Sequence, residues 1–169
     1  MKTLVVSDNH SDEHSLKELI DIYNDEIDLW LHCGDSEFSS THSVWDTFQT
    51  VAGNMDRPGE FPNSLVESIE GITLGVVHGH NHQVKYSLEP MAKLAADNDA
   101  RVVFYGHTHV AKVDKQDGIY FINPGSIVQP RGSLREGSYA IYENDGTKEQ
   151  IQFFDWNHNP IESLSQELN

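Results

Sequence analysis

Short apolar segments that end abruptly in polar residues constrain this chain more than any other feature. The segment Leu29–Cys33 is followed directly by Gly34 and Asp35, so an apolar run delivers a carboxylate at its end. Runs of this kind are typical of strands that are buried on both faces of a sheet. Gly-Asp by itself is a common turn. Asp35 therefore becomes a candidate functional residue only because four further apolar runs end in a similar way.

The four further runs each end in Asp, Asn or His, at Asp8 and His10, at Asn54, at His78, and at His107 and His109. Ligands of open α/β sheets bind outside the carboxyl ends of the strands. The pattern thus predicts that these six side chains and Asp35 meet at one edge. Each has a structural explanation alone, since Asp and Asn cap helices and His satisfies buried carbonyls. A shared metal site explains all of them together.

The order of elements predicts a single domain over residues 1–169, with the metal-site motifs in 7–126, antiparallel β-hairpins in 111–155 and a polar, loosely held tail at 156–169. Strands alternate with helices in the first part and pair as hairpins around Asp-Gly turns in the last. The predicted strands are 2–6, 27–33, 50–52, 65–69, 72–77, 102–105, 112–116, 119–122, 139–143 and 148–154. Ser11 and Ser87 are predicted to cap helices, and a weaker helix is expected over 41–48.

Composition limits the classes of function. The 27 acidic and 11 basic residues give a formal net charge of −16. Such a surface repels a phosphate backbone, so nonspecific nucleic-acid binding is not expected. The single cysteine, Cys33, excludes an intramolecular disulfide and suits a reducing compartment. Without an apolar stretch of about 18 residues or a leader pattern, no membrane association is expected, and the interpretation is a cytoplasmic protein.

The blocks Asp8-x-His10, Gly34-Asp35, Gly53-Asn54-x-Asp56, His78-Gly79-His80 and Gly106-His107-Thr108-His109 occur in this order. Their order resembles that of the calcineurin-like binuclear metallophosphoesterases, and the resemblance covers about the first 130 residues. The loop 123–126, Asn-Pro-Gly-Ser, is similar to that of the small bacterial and archaeal phosphodiesterase branch. The resemblance implies an α/β fold with four layers, in which two packed mixed β-sheets are flanked by helices.

The resemblance also implies roles for the matched residues. Asp8, His10 and His109 would hold one metal ion, Asn54, His78 and His107 would hold a second, and Asp35 would bridge the two. The ions would be divalent transition metals, first of all Mn²⁺, with Fe, Co, Ni or Zn as alternatives. A metal-bridging hydroxide would attack a phosphodiester bond. Two dications, two carboxylates and one hydroxide leave a formal charge of +1, which an anionic substrate can neutralise.

One position departs from the family pattern. Many members carry a His directly after Gly-Asn that is credited with protonating the leaving group, and here that position is Met55. Loss of a general acid slows reactions with poor leaving groups by roughly 10²–10⁴-fold. The sequence therefore predicts a preference for phosphodiesters, or for other substrates with acidic leaving groups, over alkyl monoesters.

Several neighbouring residues keep two interpretations. His80 either contacts substrate and takes part in catalysis or is structural, and Arg131 either neutralises phosphate or forms a surface salt bridge. Asp56 either orients a ligand histidine or closes a turn. His32 is expected to be buried and hydrogen-bonded. The histidines without motif support are expected to be solvated, namely His14, His42, His82 and His158.

Three functions remain open at this point. The leading one is a metal-dependent phosphodiesterase acting on a small phosphodiester, with Asp35 and His80 as catalytic residues and Asn54, His80 and Arg131 in contact with substrate. A protein-binding scaffold of the same fold is the second, although the complete set of seven ligand-type residues favours catalysis. A phosphomonoesterase or protein phosphatase is the third. Edge strands of the C-terminal hairpins could pair with those of a second copy, so a homodimer is compatible with the sequence.

Overall fold

The computed structural model describes all residues from 1 to 169. It contains two helices, α1 (Glu13–Tyr23) and α2 (Glu89–Asp97), and two short 3₁₀ helices at Ser43–Asp46 and His80–His82. Its strands in chain order are β1 (Lys2–Val6), β2 (Leu29–His32), β3 (Gln49–Thr50), β4 (Ser64–Ile69), β5 (Ile72–Val77), β6 (Val102–Tyr105), β7 (Lys112–Gln116), β8 (Ile119–Asn123), β9 (Ser138–Asn144), β10 (Glu149–Asp155) and β11 (Gln166–Glu167). Neither helix has the length and apolar character needed to span a membrane.

The strands form two mixed sheets that pack against each other. The first sheet has six strands in the order β11-β10-β9-β1-β2-β3, and the second has five in the order β4-β5-β6-β8-β7. In the first sheet β1, β2 and β3 are parallel, and in the second β5, β6 and β8 are parallel. The remaining strands join antiparallel. Both sheets therefore place the carboxyl ends of three parallel strands together.

Side chains that alternate between the two faces of each central strand build the layers. Val5 of β1 packs between the sheets, whereas Leu4 and Val6 face outward against α1. In the second sheet Phe104 lies between the sheets, whereas Tyr105 faces α2. Because successive side chains of a strand point to opposite faces, each central strand is buried on both sides. The result is helix, sheet, sheet, helix, which confirms the predicted four-layer α/β fold.

Two predicted helix starts differ from the structure. The cap of α1 is Asp12, whose carboxylate accepts a hydrogen bond from the backbone N–H of Ser15 at 3.0 Å. Ser11 has a φ of 67° and cannot adopt the extended conformation of an N-cap. The cap position of α2 is Leu88, although the hydroxyl of Ser87 accepts a hydrogen bond from the N–H of Glu89 at 3.1 Å.

The predicted helix at 41–48 is only the 3₁₀ helix Ser43–Asp46. Its start is held by His42, whose Nδ1 accepts a hydrogen bond from the Val44 N–H at 3.2 Å and whose ring stacks on Phe38. His42 is thus a capping residue, and the prediction that it is solvated was wrong. The apolar residues of this segment reach the core from a single turn, so a longer helix is not needed.

The last residues pack against the first sheet, and the prediction of a loosely held tail was wrong. Strand β11 pairs with β10, and Leu168 is buried at the end of the core between the sheets. The hydroxyl of Tyr120 donates to the carbonyl of Asn169 at 2.7 Å. His158, which was expected to be solvated, lies 2.9 Å from the Tyr139 hydroxyl through Nδ1. Isolated apolar residues in a polar segment carry no periodic pattern, and so the sequence did not reveal this docking.

Candidate metal centre

The loops after the parallel strands carry the seven predicted ligands, and five of these residues have a left-handed backbone. The φ angles are 54° at Asp8, 43° at His10, 57° at Asp35, 66° at His107 and 60° at His109. This conformation costs about 1–2 kcal/mol for a residue with a side chain, although Asp and His tolerate it better than most. It turns the chain sharply just after the strand. Strained residues of this kind cluster at functional sites.

One group of ligand-type atoms comes from Asp8, His10 and His109, with all three atoms within 4.8 Å of one another. The Nε2 atom of His109 lies 3.2 Å from Asp8 Oδ1 and 3.3 Å from Nε2 of His10. Nδ1 of His109 is 2.8 Å from the carbonyl of Gln129, and Nδ1 of His10 is 2.8 Å from Glu37 Oε1. These partners place the ring protons on Nδ1, so the Nε2 lone pairs face each other. A cation held between the two nitrogens would satisfy both lone pairs.

A second group is formed by Asp8, Asp35 and His78. Nε2 of His78 lies 3.3 Å from Asp35 Oδ2 and 4.0 Å from Asp8 Oδ1. The Oδ1 atom of Asn54 is 3.3 Å from the same nitrogen. Nδ1 of His78 donates to the carbonyl of Cys33 at 2.8 Å, which leaves Nε2 as the ligand-type atom. Asp8 therefore belongs to both groups of ligand-type atoms. The sequence predicted that Asp35, and not Asp8, would be the residue common to both.

The two oxygens of Asp8 have unequal surroundings. Oδ2 accepts hydrogen bonds from the Ser7 hydroxyl at 2.5 Å and from the backbone N–H of His107 at 3.2 Å. Oδ1 is buried and has no hydrogen-bond donor. A buried carboxylate oxygen without a donor is unfavourable unless a cation compensates it. Imidazole nitrogens and carboxylate oxygens suit divalent transition metals, so these residues fit such an ion.

Electrostatics in the two groups follow from the same contacts. Burial raises the pKa of Asp8, but the close contact with the His109 imidazole and the charge of His78 outweigh burial and hold the pKa below its usual value. Burial also opposes ionisation of Asp35, whose pKa is nevertheless lowered by His78 and by the Met55 N–H. The neighbouring carboxylates raise the pKa of His78 against the effect of its burial. Both acids are therefore ionised at neutral pH, as metal ligands must be.

Two glycines allow the close approach of the ligand loops. A Cβ atom at Gly53 would overlap the carboxylate of Asp35. A Cβ atom at Gly106 would overlap the Ser7 hydroxyl and Oδ2 of Asp8. The Gly-Asn and Gly-His pairs of the sequence thus have a steric cause: the glycine leaves room for an acid from the adjacent loop.

Asp56 joins two ligand loops. Its Oδ2 accepts hydrogen bonds from the backbone N–H groups of Asp35 at 2.9 Å and Gly53 at 2.7 Å. Its Oδ1 accepts from the Ser36 hydroxyl at 2.9 Å and the Glu37 N–H at 2.7 Å. Of the two interpretations, turn closure is confirmed through Gly53. Contact with a ligand histidine is not seen.

Comparison with known proteins gives this arrangement a family. Residues 1–147 match the model of the calcineurin-like phosphoesterase superfamily domain. The chain belongs to this superfamily. The calcineurin-like phosphoesterase superfamily is metal-dependent, in agreement with the two groups of ligand-type atoms described above.

Individual members of the calcineurin-like phosphoesterases extend the match over nearly the whole chain. A probable metallophosphoesterase of Bacillus subtilis is 35% identical over 164 residues, covering 97% of this chain and 96% of the relative. A structure from Streptococcus pneumoniae, described as a predicted phosphoesterase, has a TM-score of 0.93 at 33% identity and covers 98% and 95% of the two chains. A protein of Methanocaldococcus jannaschii named a phosphodiesterase is 28% identical over 144 residues, covering 74% of this chain and 83% of the relative.

The ligand-type residues of this calcineurin-like phosphoesterase open onto a cavity of about 400 Å³. Five of the predicted ligands line it, namely His10, Asp35, Asn54, His107 and His109. Met55 also lines it, with 55% of its surface exposed. Arg131 lies in its wall and forms no ion pair, so the salt-bridge interpretation is wrong. A cavity of about 480 Å³ beside Trp156 contains no candidate ligand.

Two residues that the sequence predicted for the site, His107 and His80, lie outside both groups of ligand-type atoms. The ring of His107 is 5.2 Å from that of His78 between centroids, but its nitrogens belong to neither group of ligand-type atoms. His80 lines a neighbouring cavity of about 270 Å³ and its Nδ1 is buried without a partner. Burial lowers the pKa of both imidazoles, to about 4 at His107.

Sequence reasoning missed other residues of the site in this calcineurin-like phosphoesterase. Lys85, Glu37 and Gln129 line the ligand cavity, although no motif marks them. Ser126 belongs to the Asn-Pro-Gly-Ser loop, and its hydroxyl donates to the backbone carbonyl of Asp8 at 2.8 Å. That motif was therefore the available signal for Ser126. His32 is buried as predicted, with Nε2 donating to Asn9 Oδ1 at 2.9 Å and Nδ1 accepting from the Gly34 N–H at 3.0 Å.

Proposed function

We propose that this member of the superfamily is a binuclear metal-dependent phosphodiesterase that hydrolyses small phosphodiesters. The observation that carries the proposal is the position of Asp8 Oδ1, which has no donor and lies 3.2 Å from His109 Nε2 and 4.0 Å from His78 Nε2. An arrangement of acid and imidazole around one orphaned oxygen fits a metal centre. The adjoining cavity gives a substrate access to it.

The proposed ligand assignment follows the sequence with one addition. Asp8, His10 and His109 would hold one ion, Asn54, His78 and His107 would hold the other, and Asp35 would contact both. The addition is Asp8, which belongs to both groups of ligand-type atoms and would contact both ions. His107, whose ring centroid lies 5.2 Å from that of His78, would complete the second set of ligands.

When bound, two divalent ions would supply an activated water as nucleophile and a net positive charge that binds phosphate. The chain's own residues prepare this chemistry. The Nδ1 partners of His10, His78 and His109 fix the orientation of each ring. The N–H of Met55 donates to Asp35 Oδ1 at 2.7 Å and so fixes that carboxylate. Arg131 and His80 are proposed to contact the phosphate as it enters.

Preference for substrates with acidic leaving groups follows from Met55. The side chain is exposed at the cavity and cannot donate a proton to a leaving group. Hydrolysis therefore depends on leaving groups that depart without protonation, such as the phenolate of an aryl diester. Among such substrates, the choice of diesters is supported by the archaeal relative that is named a phosphodiesterase.

The test measures metal content and turnover together. Protein purified without chelator is analysed for metal and then assayed with bis(p-nitrophenyl) phosphate and with p-nitrophenyl phosphate. Apo protein is reloaded separately with Mn²⁺, Fe²⁺, Co²⁺, Ni²⁺ or Zn²⁺, with Mn²⁺ expected to give the highest rate. We expect about two ions per chain and faster hydrolysis of the diester.

Asp35→Asn supplies the matched variant, because it keeps the shape of the side chain and removes the charge that would bridge the ions. It should lose metal from both sites and abolish turnover while circular dichroism stays unchanged. The exposed Asp117→Asn serves as control. Two bound ions without turnover on any phosphoester would contradict the proposal and favour a binding scaffold.

A further inference from the structure

Three cavities adjoin one another along the loop 79–88, beside the candidate metal centre. The ligand cavity and its neighbour share Lys85 and His107 in their walls. A third cavity of about 250 Å³ adjoins the second through Val84, Lys85 and Tyr86. We name these two outer cavities the side groove; Tyr86 lines both of them, and the first also includes Lys85 and His107 of the ligand cavity.

Tyr86 is presented to solvent in a way that differs from all other tyrosines of the chain. It is 88% exposed, whereas the other five are buried or half-buried. Single exposed aromatic residues are not unusual on a protein surface. This tyrosine differs from them because it lines two cavities, one of which also includes the candidate ligand His107.

The backbone that carries Tyr86 is firmly anchored. The N–H groups of Tyr86 and Ser87 both donate to the carbonyl of Gln83, at 2.8 and 3.1 Å. Val84 is buried in the core beneath α2, and Gly79, with a φ of 109°, leaves the room that Val84 occupies. The backbone that carries the exposed ring is therefore ordered. A tyrosine on an ordered backbone has only two χ angles left to fix, so it loses little entropy when a ligand binds to it.

Charge in the side groove favours one class of ligand. Lys85 is a cation without an ion pair in a protein of net charge −16, and it lies where the ligand cavity and the side groove meet. The other cation of the groove, Lys112, is paired with Asp114 at 2.7 Å. The surroundings of Lys85 thus suit an anionic phosphate, and the part of the side groove near Tyr86 suits an uncharged ring.

We propose that the side groove binds an aromatic ring on one arm of the phosphodiester, of the nucleobase type, with the ring stacked on Tyr86. The inference rests on the proposed function and adds the class of substrate. Stacking of a base on a tyrosine depends little on which base is present. Specificity for nucleoside-type diesters would then come from this residue and not from the metal ligands.

Competitive inhibition tests the proposal with two probes that differ only in the base. Thymidine 5′-monophosphate and 2-deoxyribose 5-phosphate are compared as inhibitors of bis(p-nitrophenyl) phosphate hydrolysis by Mn²⁺-loaded protein. Wild type should bind the nucleotide about tenfold more tightly, equivalent to about 1.4 kcal/mol. Tyr86→Ala should bring the ratio close to one and leave the affinity for the sugar phosphate unchanged, whereas Tyr86→Trp should preserve the ratio.

The exposed Ile22→Ala on α1 is the control variant and should keep the wild-type ratio. A ratio near one in wild type, or an equal ratio in wild type and Tyr86→Ala, would overturn the inference. If no phosphoester is hydrolysed, the proposed function fails. Titration calorimetry of the same Mn²⁺-loaded variants with both probes then still decides whether Tyr86 binds the base.

Discussion

The carboxylate of Asp56 accepts a hydrogen bond from the backbone N–H of Asp35 at 2.9 Å and thereby fixes the loop that carries a candidate bridging ligand. Both oxygens of Asp56 are fully used, since each accepts two hydrogen bonds and all four donors come from the loops after β2 and β3. No candidate metal ligand other than Asp35 touches this carboxylate. Its role is to set the position of the loops and not to contact an ion.

Asp56→Asn should destabilise the protein and loosen its metal binding. The amide replaces one acceptor oxygen with a donor that faces two N–H or O–H groups, a mismatch that costs about 1–3 kcal/mol at a buried site. Urea unfolding in the presence of chelator measures the stability, and metal analysis after dialysis measures retention. Asp117→Asn, at an exposed hairpin turn, is the control. Equal stability of Asp56→Asn and wild type would disprove this role.

Asp8→Asn and His10→Ala should differ in the number of ions they lose. Asp8 belongs to both groups of ligand-type atoms, whereas His10 belongs to one. We therefore expect Asp8→Asn to reduce metal content at both sites and His10→Ala to reduce it from about two ions per chain to about one. Metal analysis and Mn²⁺ titration calorimetry provide the counts. Retention of one full site by Asp8→Asn would show that Asp8 is not shared.

Met55→His should improve the hydrolysis of alkyl phosphomonoesters. The side chain of residue 55 is exposed at the ligand cavity, so an imidazole there can reach a leaving group. Restoring a general acid should raise kcat/KM for an alkyl monoester by about 10²-fold or more and change aryl diester hydrolysis much less. Met55→Gln, which cannot act as an acid, controls for polarity. The explanation fails if wild type already cleaves alkyl monoesters as fast as aryl diesters.

His32 should make stability depend on pH below neutrality. Complete burial lowers its pKa to about 4, partly offset by the charge of Asp56. The unfolded chain takes up the proton near pH 6.5, before the folded protein does, so the stabilising contribution is complete above about pH 6.5 and is lost as the pH falls toward 4. The full loss amounts to about 3 kcal/mol.

Unfolding in urea with chelator, at several pH values between 4 and 7, measures this dependence. His32→Gln should lower stability at pH 7 but show a shallower decline toward pH 4. Parallel curves for the two proteins would assign the acid sensitivity to other groups.

The sequence was sufficient for the architecture because the central strands, such as β1 and β6, are short apolar runs bounded by turns. The gathering of Asp8, Asp35 and His78 was also predictable, since parallel strands end at one edge. The sharing of Asp8 was not, because it depends on backbone conformations just after the strands. Lys85 and Tyr86 escaped notice because a loop without periodicity positions them.

The candidate ligands come from both sheets: Asp8, His10, Asp35 and Asn54 follow strands of the first, and His78, His107 and His109 follow strands of the second. An ion that joins ligands from both sheets acts as a crosslink across the sandwich. Its binding free energy then adds to the stability of the whole fold, by about 1.4 kcal/mol for each tenfold rise of free metal above the dissociation constant. Resistance of the chain to proteolysis thus becomes a measure of metal supply.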